Sequence, residues 1–359
     1  MLPTETKEQL RDALLACGFS QVGFTDTLPS RHQSYWRAWT NAGYAGEMLW
    51  LSTRRELRTG HLGVPELLAG AQTAIVLAVS YNHACNEAGP SDGIIAKYAQ
   101  GLDYHRVIRS MTKQGMKVVE EFIPGSVSRA TTDSAPIPER ELAVRAGIGW
   151  QGRHTNVIVP GFGNYVFLSV ILTTALIEPD TPDSKMGNCG ACTKCLQVCP
   201  TGALVAPNVL DPRRCISYWT IEAKESIPLE IRPLMGNRIF GCDICIDVCP
   251  WNSLASVEQL TAFDWKPSFG ALDLGNLFTN LSSDEWFEQT FLGTPVLRTG
   301  RAGLRRNVAV AIGNTHDVSL IPVLQAGLND ESGIVREHVE WALEALVTSK
   351  TIWPIERFR

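Results

Sequence analysis

The residues with the most chemistry in this sequence are its cysteines, and eight of the ten belong to one segment. GNCGACTKCLQVCPTGAL holds Cys189, Cys192, Cys195 and Cys199 in the spacing C-x2-C-x2-C-x3-C-P. Three thiolates that close together wrap three irons of a [4Fe-4S] cube, while the cysteine before proline turns away to ligate a second cube. GCDICIDVCPWN repeats the spacing with its first cysteine missing, supplying Cys242, Cys245 and Cys249. Cys215 can fill the vacancy. The expected sets are Cys189, Cys192, Cys195 and Cys249 for one cluster, and Cys199, Cys215, Cys242 and Cys245 for the other. Zinc also favours C-x2-C pairs, but its sites rarely use the Cys-Pro crossover. Cys17, read as part of the first helix, and Cys85, in an isolated loop, are expected to be packed or incidental thiols.

Such a module needs far fewer than 359 residues, so the remaining chain must position something else. Thr6 with Gln9 reads as a capping box opening a helix whose Leu10, Leu14 and Leu15 share a face, and Gly18 stops it. QVGFT, TAIVLAVSY, NVIVP and YVFLSVILTT read as strands, alternating with helical SMTKQGMKVVEEF and ERELAVRAG. Together they predict an α/β (α+β) domain over residues 1–180. The cluster module follows over 181–255, a loop-rich connection over 256–282, and short helices over 283–359 in a HEAT-like arrangement. Residues 155–177 carry no charge, but Pro160, Gly161, Gly163 and Asn164 break them into two buried strands joined by a turn, not a membrane span. No export signal opens the chain, so it is expected in the cytoplasm, where ten cysteines point to metal and not to disulfides.

A net charge of −5 gives no global attraction for nucleic acid, so an anionic partner requires a local basic patch. LRTGRAGLRRN offers one in Arg298, Arg301, Arg305 and Arg306, which Arg213, Arg214 and Lys224 could extend. There is no G-x-G-x-x-G turn and no P-loop. Asp103-Tyr104-His105 begins the D-x-H-x-x-G signature of many corrinoid enzymes, but Ile108 stands where glycine belongs.

The segments GEMLWLSTRRELR, YAQGLDYHRVIR, TTDSAPIPERELAVRAGIGWQGRHT, RRCISYWTIE, RPLMGNRIFGCDICIDVCPWN and LRRNVAVAIGN, with the cysteine runs, resemble the epoxyqueuosine reductases along nearly the whole chain. The resemblance implies a cobalamin-dependent oxidoreductase that converts epoxyqueuosine to queuosine at the wobble position of tRNA. It implies electrons from an external reductase, flavodoxin or ferredoxin, relayed through two clusters. It makes Asp133 the proton donor, with a carboxyl pKa raised by a closed pocket. It places Arg58, Glu139, Arg140, Val157 and Leu168 around cobalamin, the last two on paired strands. Ser217, Cys242 and Asp243 are placed where the second cluster approaches the corrin, and Tyr104 and His105 are candidates to face the substrate. Ala96 stands where some relatives carry a cysteine near cobalt, which removes thiol ligation there. A reductive dehalogenase-like enzyme and an electron-transfer protein without its own substrate are the alternative readings.

Overall fold

The computed structural model describes residues 2–83, 89–183, 186–257, 260–270 and 272–348; Cys85 lies outside them. Its N-terminal lobe is built on a four-stranded sheet of β1 (Gln21–Asp26), β2 (Thr73–Ser80), β3 (Ser128–Thr131) and β4 (Val166–Thr173), in the order β1-β2-β4-β3. Every pairing is antiparallel, so the α+β form of the expectation holds. All eight residues of β2 are buried, which requires cover on both faces. Helices α1 (Thr4–Leu15) and α2 (Tyr104–Phe122) cover one face through Leu10, Leu14, Ile108 and Val119 against Phe24, Ile75 and Leu77. Helix α3 (Glu139–Arg145) covers the other through Leu142 and Ala143 against Val76 and Val170.

Local signals at several ends differ from expectation. Helix α1 begins at Thr4 after Pro3, so Thr6 lies inside the first turn and makes no cap; Cys17 follows the helix. Val157–Ile158 and β4 do not pair with each other: the former joins Trp150–Gln151, and β4 joins β2 and β3. The intervening turn closes on itself through the Val159–Gly163 bridge. No helix among the described residues is long and apolar enough to cross a membrane.

The cysteine segment is stitched into both neighbours. Arg238–Phe240 pairs in parallel with Ile94–Ile95, and Ile246 and Phe263 join the core beneath the sheet. Gly241 then turns the chain with φ +73°; a Cβ there would meet the Ala96 Cβ at 2.5 Å, so only glycine brings the Cys242 segment this close. Ile95, Ala99 and Phe240 also share a core with the C-terminal helices α4 (Leu274–Asn280), α5 (Asp284–Phe291), α6 (Arg301–Gly313) and α7 (Gly333–Thr348). Helix α4, capped by Asp273, lies within the stretch expected to be a loop-rich connection.

The arginine cluster is a structural device, not a basic surface. Arg306 is 1% exposed and donates to the carbonyls of Trp219, Ala223 and Glu225 and to Asn307 Oδ1. Arg305 pairs with Asp330, and Arg301 with Asp284 at 2.7 Å and with Glu331. All three side chains are buried; acidic partners from other segments neutralise Arg301 and Arg305, while backbone carbonyls and Asn307 hold Arg306. Only Arg298 is exposed, and it pairs with Glu222 at 2.9 Å.

Arg306→Met would strand several buried carbonyls and should destabilise the chain by about 3 kcal/mol, whereas Arg298→Ala should cost under about 1 kcal/mol, as chemical denaturation would measure.

Candidate active site and cluster module

The thiols group across long sequence separations. Cys189 and Cys249 pack with Trp150, Ile158, Met186 and Trp251 in one small core. Burial pushes the Cys195 thiol up, and the neighbouring thiols of Cys189, Cys249 and Cys192 add to that push. Burial likewise raises Cys245, with added pressure from Cys215, Cys242 and Cys199. Cys189, Cys192 and Cys249 thus lie near Cys195, and Cys199, Cys215 and Cys242 near Cys245. Among the described residues no three His, Cys, Asp or Glu side chains converge on the position of a single ion; the thiols group instead by mutual influence and shared packing.

A partly exposed concavity surrounds Asp133. Asp133 is its centre, on the loop between β3 and α3, with φ +55°, a backbone conformation unusual for a residue with a side chain. The loop is held from both sides: Asp133 N–H donates to Glu139 Oε1 at 2.9 Å, and Thr132 Oγ1 meets Ser169 Oγ at 2.9 Å. Tyr104 OH donates to Asp133 Oδ2 at 2.6 Å, and His105 Nε2 lies 3.2 Å from the same oxygen. Tyr104 is clamped between Phe167, stacked at 4.4 Å, and the His105 ring at 4.0 Å.

The electrostatics differ from expectation. Enclosure by protein pulls the Asp133 carboxyl up, but hydrogen bonds from His105 and Tyr104 and the charges of His105 and Arg298 outweigh it and hold it at about 2. Asp133 is therefore ionised in this state, and the raised carboxyl is Glu139. Burial, with Asp133 nearby, pushes Glu139 up to about 8. Burial lowers Arg58 and Arg140, and raises Asp243 to about 6 with help from Asp247. Asp133 and Arg140 keep accessible surface although protein desolvates them strongly, which is the signature of side chains lining a concavity.

The other expected residues fall around this cleft to different degrees. Arg58 donates to the Ile137 carbonyl at 3.2 Å and stacks over Trp36, while its buried Nε has no partner among the described residues. Arg140 donates to the Thr155 carbonyl at 3.0 Å. Val157 is buried and Leu168 half-buried, both packed in the core on the α3 side of the sheet. Ser217 is half-buried just after Cys215, and Asp243 accepts from Lys97 N–H at 2.6 Å. Tyr98 spans the two sides, its hydroxyl raised by burial and by Asp243, with Asp133 adding to it. Asp103, read only as part of an incomplete signature, caps α2 and binds His105; an Asp just before a helical run was the legible signal.

Comparison with known proteins fits this geometry. Residues 188–252 match the family model for a 4Fe-4S double cluster binding domain, and residues 63–134 match that for epoxyqueuosine reductase QueG, DUF1730. The epoxyqueuosine reductase of Vibrio cholerae is 38% identical, covering 98% of this chain and 94% of the relative. That of Escherichia coli K12 is 36% identical, covering 95% and 90%. The chain belongs to the epoxyqueuosine reductase family. A crystal structure of epoxyqueuosine reductase with an epoxyqueuosine-modified tRNA-Tyr stem loop is similar with a TM-score of 0.86 and 28% identity, covering 95% of this chain and 90% of that one. The Streptococcus thermophilus enzyme is similar with a TM-score of 0.84. As an epoxyqueuosine reductase family member with a double cluster domain, the chain is an oxidoreductase.

A carboxyl whose pKa rises on folding gives stability that is present below its ordinary value of 4.5 and lost as pH climbs towards 8. Glu139→Gln should therefore flatten part of the decline in stability over that window, measured as urea midpoints at successive pH values.

Proposed function

We propose that the cleft around Asp133 is where this oxidoreductase reduces the epoxide of epoxyqueuosine in tRNA to the alkene of queuosine, with Asp133 as proton donor. The single observation that carries this reading is the convergence of two donors, Tyr104 and His105, on one oxygen of a carboxylate set at the cleft's centre. The reaction consumes two electrons and two protons and releases water. An epoxide oxygen leaves readily only when protonated, so a proton held at a fixed atom lowers the barrier.

The cleft suits cobalamin, a bulky group rich in amides. Arg58 has a buried Nε with no partner among the described residues, Arg140 and Glu139 lie close enough to Asp133 to feel its charge, and half-buried Leu168 offers apolar surface, whereas Val157 is buried in the core behind it. Ser217, Cys242 and Asp243 would hold the edge nearest the second cluster. Held there, cobalamin would supply the reducing power for opening the strained ring, with electrons drawn from the two clusters. We assign Cys189, Cys192, Cys195 and Cys249 to one cluster and Cys199, Cys215, Cys242 and Cys245 to the other.

The protein's own residues do the rest. Glu139 fixes the Asp133 backbone, Tyr104 and Phe167 fix the angle at which the carboxylate meets its donors, and Tyr98 helps to wall off water. At the rim, Arg298 lies over Trp50 at 5.9 Å and Lys224 donates to the Arg298 carbonyl at 3.2 Å, giving a small basic and aromatic surface for the anticodon stem loop. Arg301, Arg305 and Arg306 support that rim from inside. In this reading, residues 1–180 carry cobalamin and substrate, the helices from 283 onward form a HEAT-like support for tRNA, and the chain works in the cytoplasm with an external reductase, flavodoxin or ferredoxin.

Asp133→Asn should abolish conversion of epoxyqueuosine to queuosine in an anaerobic assay with reconstituted clusters, added cobalamin and a chemical reductant, while iron and cobalamin remain bound. An active variant would refute the role, and a wild-type chain that yields no queuosine would refute the function.

A further inference from the structure

The two protons consumed by the reaction need a source, because Asp133 has none to give in the state described. The hydrogen-bond geometry around His105 identifies one. Its Nδ1 lies 2.8 Å from Asp103 Oδ1, and its Nε2 lies 3.2 Å from Asp133 Oδ2. When both carboxylates are ionised they only accept hydrogen bonds, and both ring nitrogens must then carry a proton to satisfy them. In that state His105 is an imidazolium between two carboxylates. Asp103 is fixed in turn as the cap of α2, accepting from the His105 backbone N–H at 3.0 Å, and Tyr104 stacks on the imidazole face. The imidazole side chain retains 26% exposure, which leaves it open to reprotonation from solvent.

Resting on the functional reading above, we propose that His105, oriented by Asp103, is the positioning residue that loads Asp133 with each proton the reaction consumes. In each transfer the His105 Nε2–H bond breaks and an O–H bond forms at Asp133 Oδ2. The Asp133 O–H then breaks as the departing substrate oxygen takes the proton. The neutral imidazole keeps its Nδ1–H on Asp103, with Nε2 free to accept a proton from water. Two such cycles deliver two protons to one oxygen, which leaves as water; the two electrons come from the reductant through the established activity. Tyr104, whose hydroxyl is raised by burial and by Asp133, keeps its proton and holds the acceptor oxygen in line.

Several charged groups face this relay. Asp103 and Asp133 touch His105, and Arg106 acts on Asp103. Arg298 acts on Asp133 and Tyr104, while Glu139, Arg58 and Arg140 lie behind Asp133. Burial lowers the His105 pKa, but its bonds to Asp103 and Asp133 raise it to about 9, in keeping with the geometry.

Two measurements on the reconstituted holoenzyme test the proposal. With histidine labelled at Cε1, and the resonance assigned by its loss in His105→Gln, NMR should show His105 titrating well above an ordinary histidine. The titration should fall towards ordinary values in Asp133→Asn and in Asp103→Asn. In turnover, His105→Gln should lower kcat by about a hundredfold with KM for the modified stem loop unchanged, and should abolish the alkaline limb of the pH profile. Added imidazole should restore part of the rate to His105→Gly. An ordinary His105 titration that ignores Asp133→Asn, or a His105→Gln enzyme with the wild-type rate and pH profile, would overturn the proposal. If the wild-type chain reduces no epoxyqueuosine, the functional reading fails by itself, and the titration still decides whether His105 is paired as an imidazolium.

Discussion

The constraint on which the proposed account turns is that two cysteine runs exchange their last ligands. In the proposed allocation, Cys199 leaves the first run for the second cube and Cys249 leaves the second run for the first, so neither cube can close until segments 50 residues apart in sequence have met. Trp150, Ile158 and Trp251 pack around Cys249 and Cys189 and bring part of the N-terminal lobe to the same place. Gly241 does the equivalent on the other side, seating Cys242 and Asp243 against Ala96. The cysteine segment is therefore packed against the N-terminal lobe at two places.

The opposite wall is governed by a division of charge. Asp133 and Glu139 are linked through one backbone hydrogen bond, yet their surroundings push them apart: donors crowd Asp133 and keep it ionised, while Glu139 is enclosed without an equivalent donor and is driven neutral. Two carboxylates side by side could not both ionise cheaply in such a space. Glu139 accepts from the Asp133 backbone N–H, and in the proposed function the Asp133 carboxylate is the group that faces the substrate. That arrangement follows from helix α2 beginning at Tyr104, which puts a phenol and an imidazole at the cleft, and from Asp103 closing its first turn.

Some of this was legible in the residues. The cysteine spacing located the double cluster domain that residues 188–252 match, because cluster ligation is encoded at short range. The apolar runs located β2 and β4, buried on both faces. Sequence could not say which strands pair, and Val157 and Leu168 lie on strands that do not. It also misjudged Arg301, Arg305 and Arg306, because the acids Asp284, Asp330 and Glu331 that pair with the first two, and the carbonyls of Trp219, Ala223 and Glu225 that hold the third, arrive from other segments and only the fold shows them. The ionised state of Asp133 was hidden for the same reason: its donors lie 28 and 29 residues upstream.

The crossover is tested most directly by the iron content of the double variant Cys192→Ala/Cys199→Ala. If the ligands exchange as proposed, these two cysteines serve different clusters and the double variant should lose both, retaining close to no iron after anaerobic reconstitution. If each run ligates its own cube, both substitutions damage the same cluster, and about four irons per chain would survive, contradicting the account.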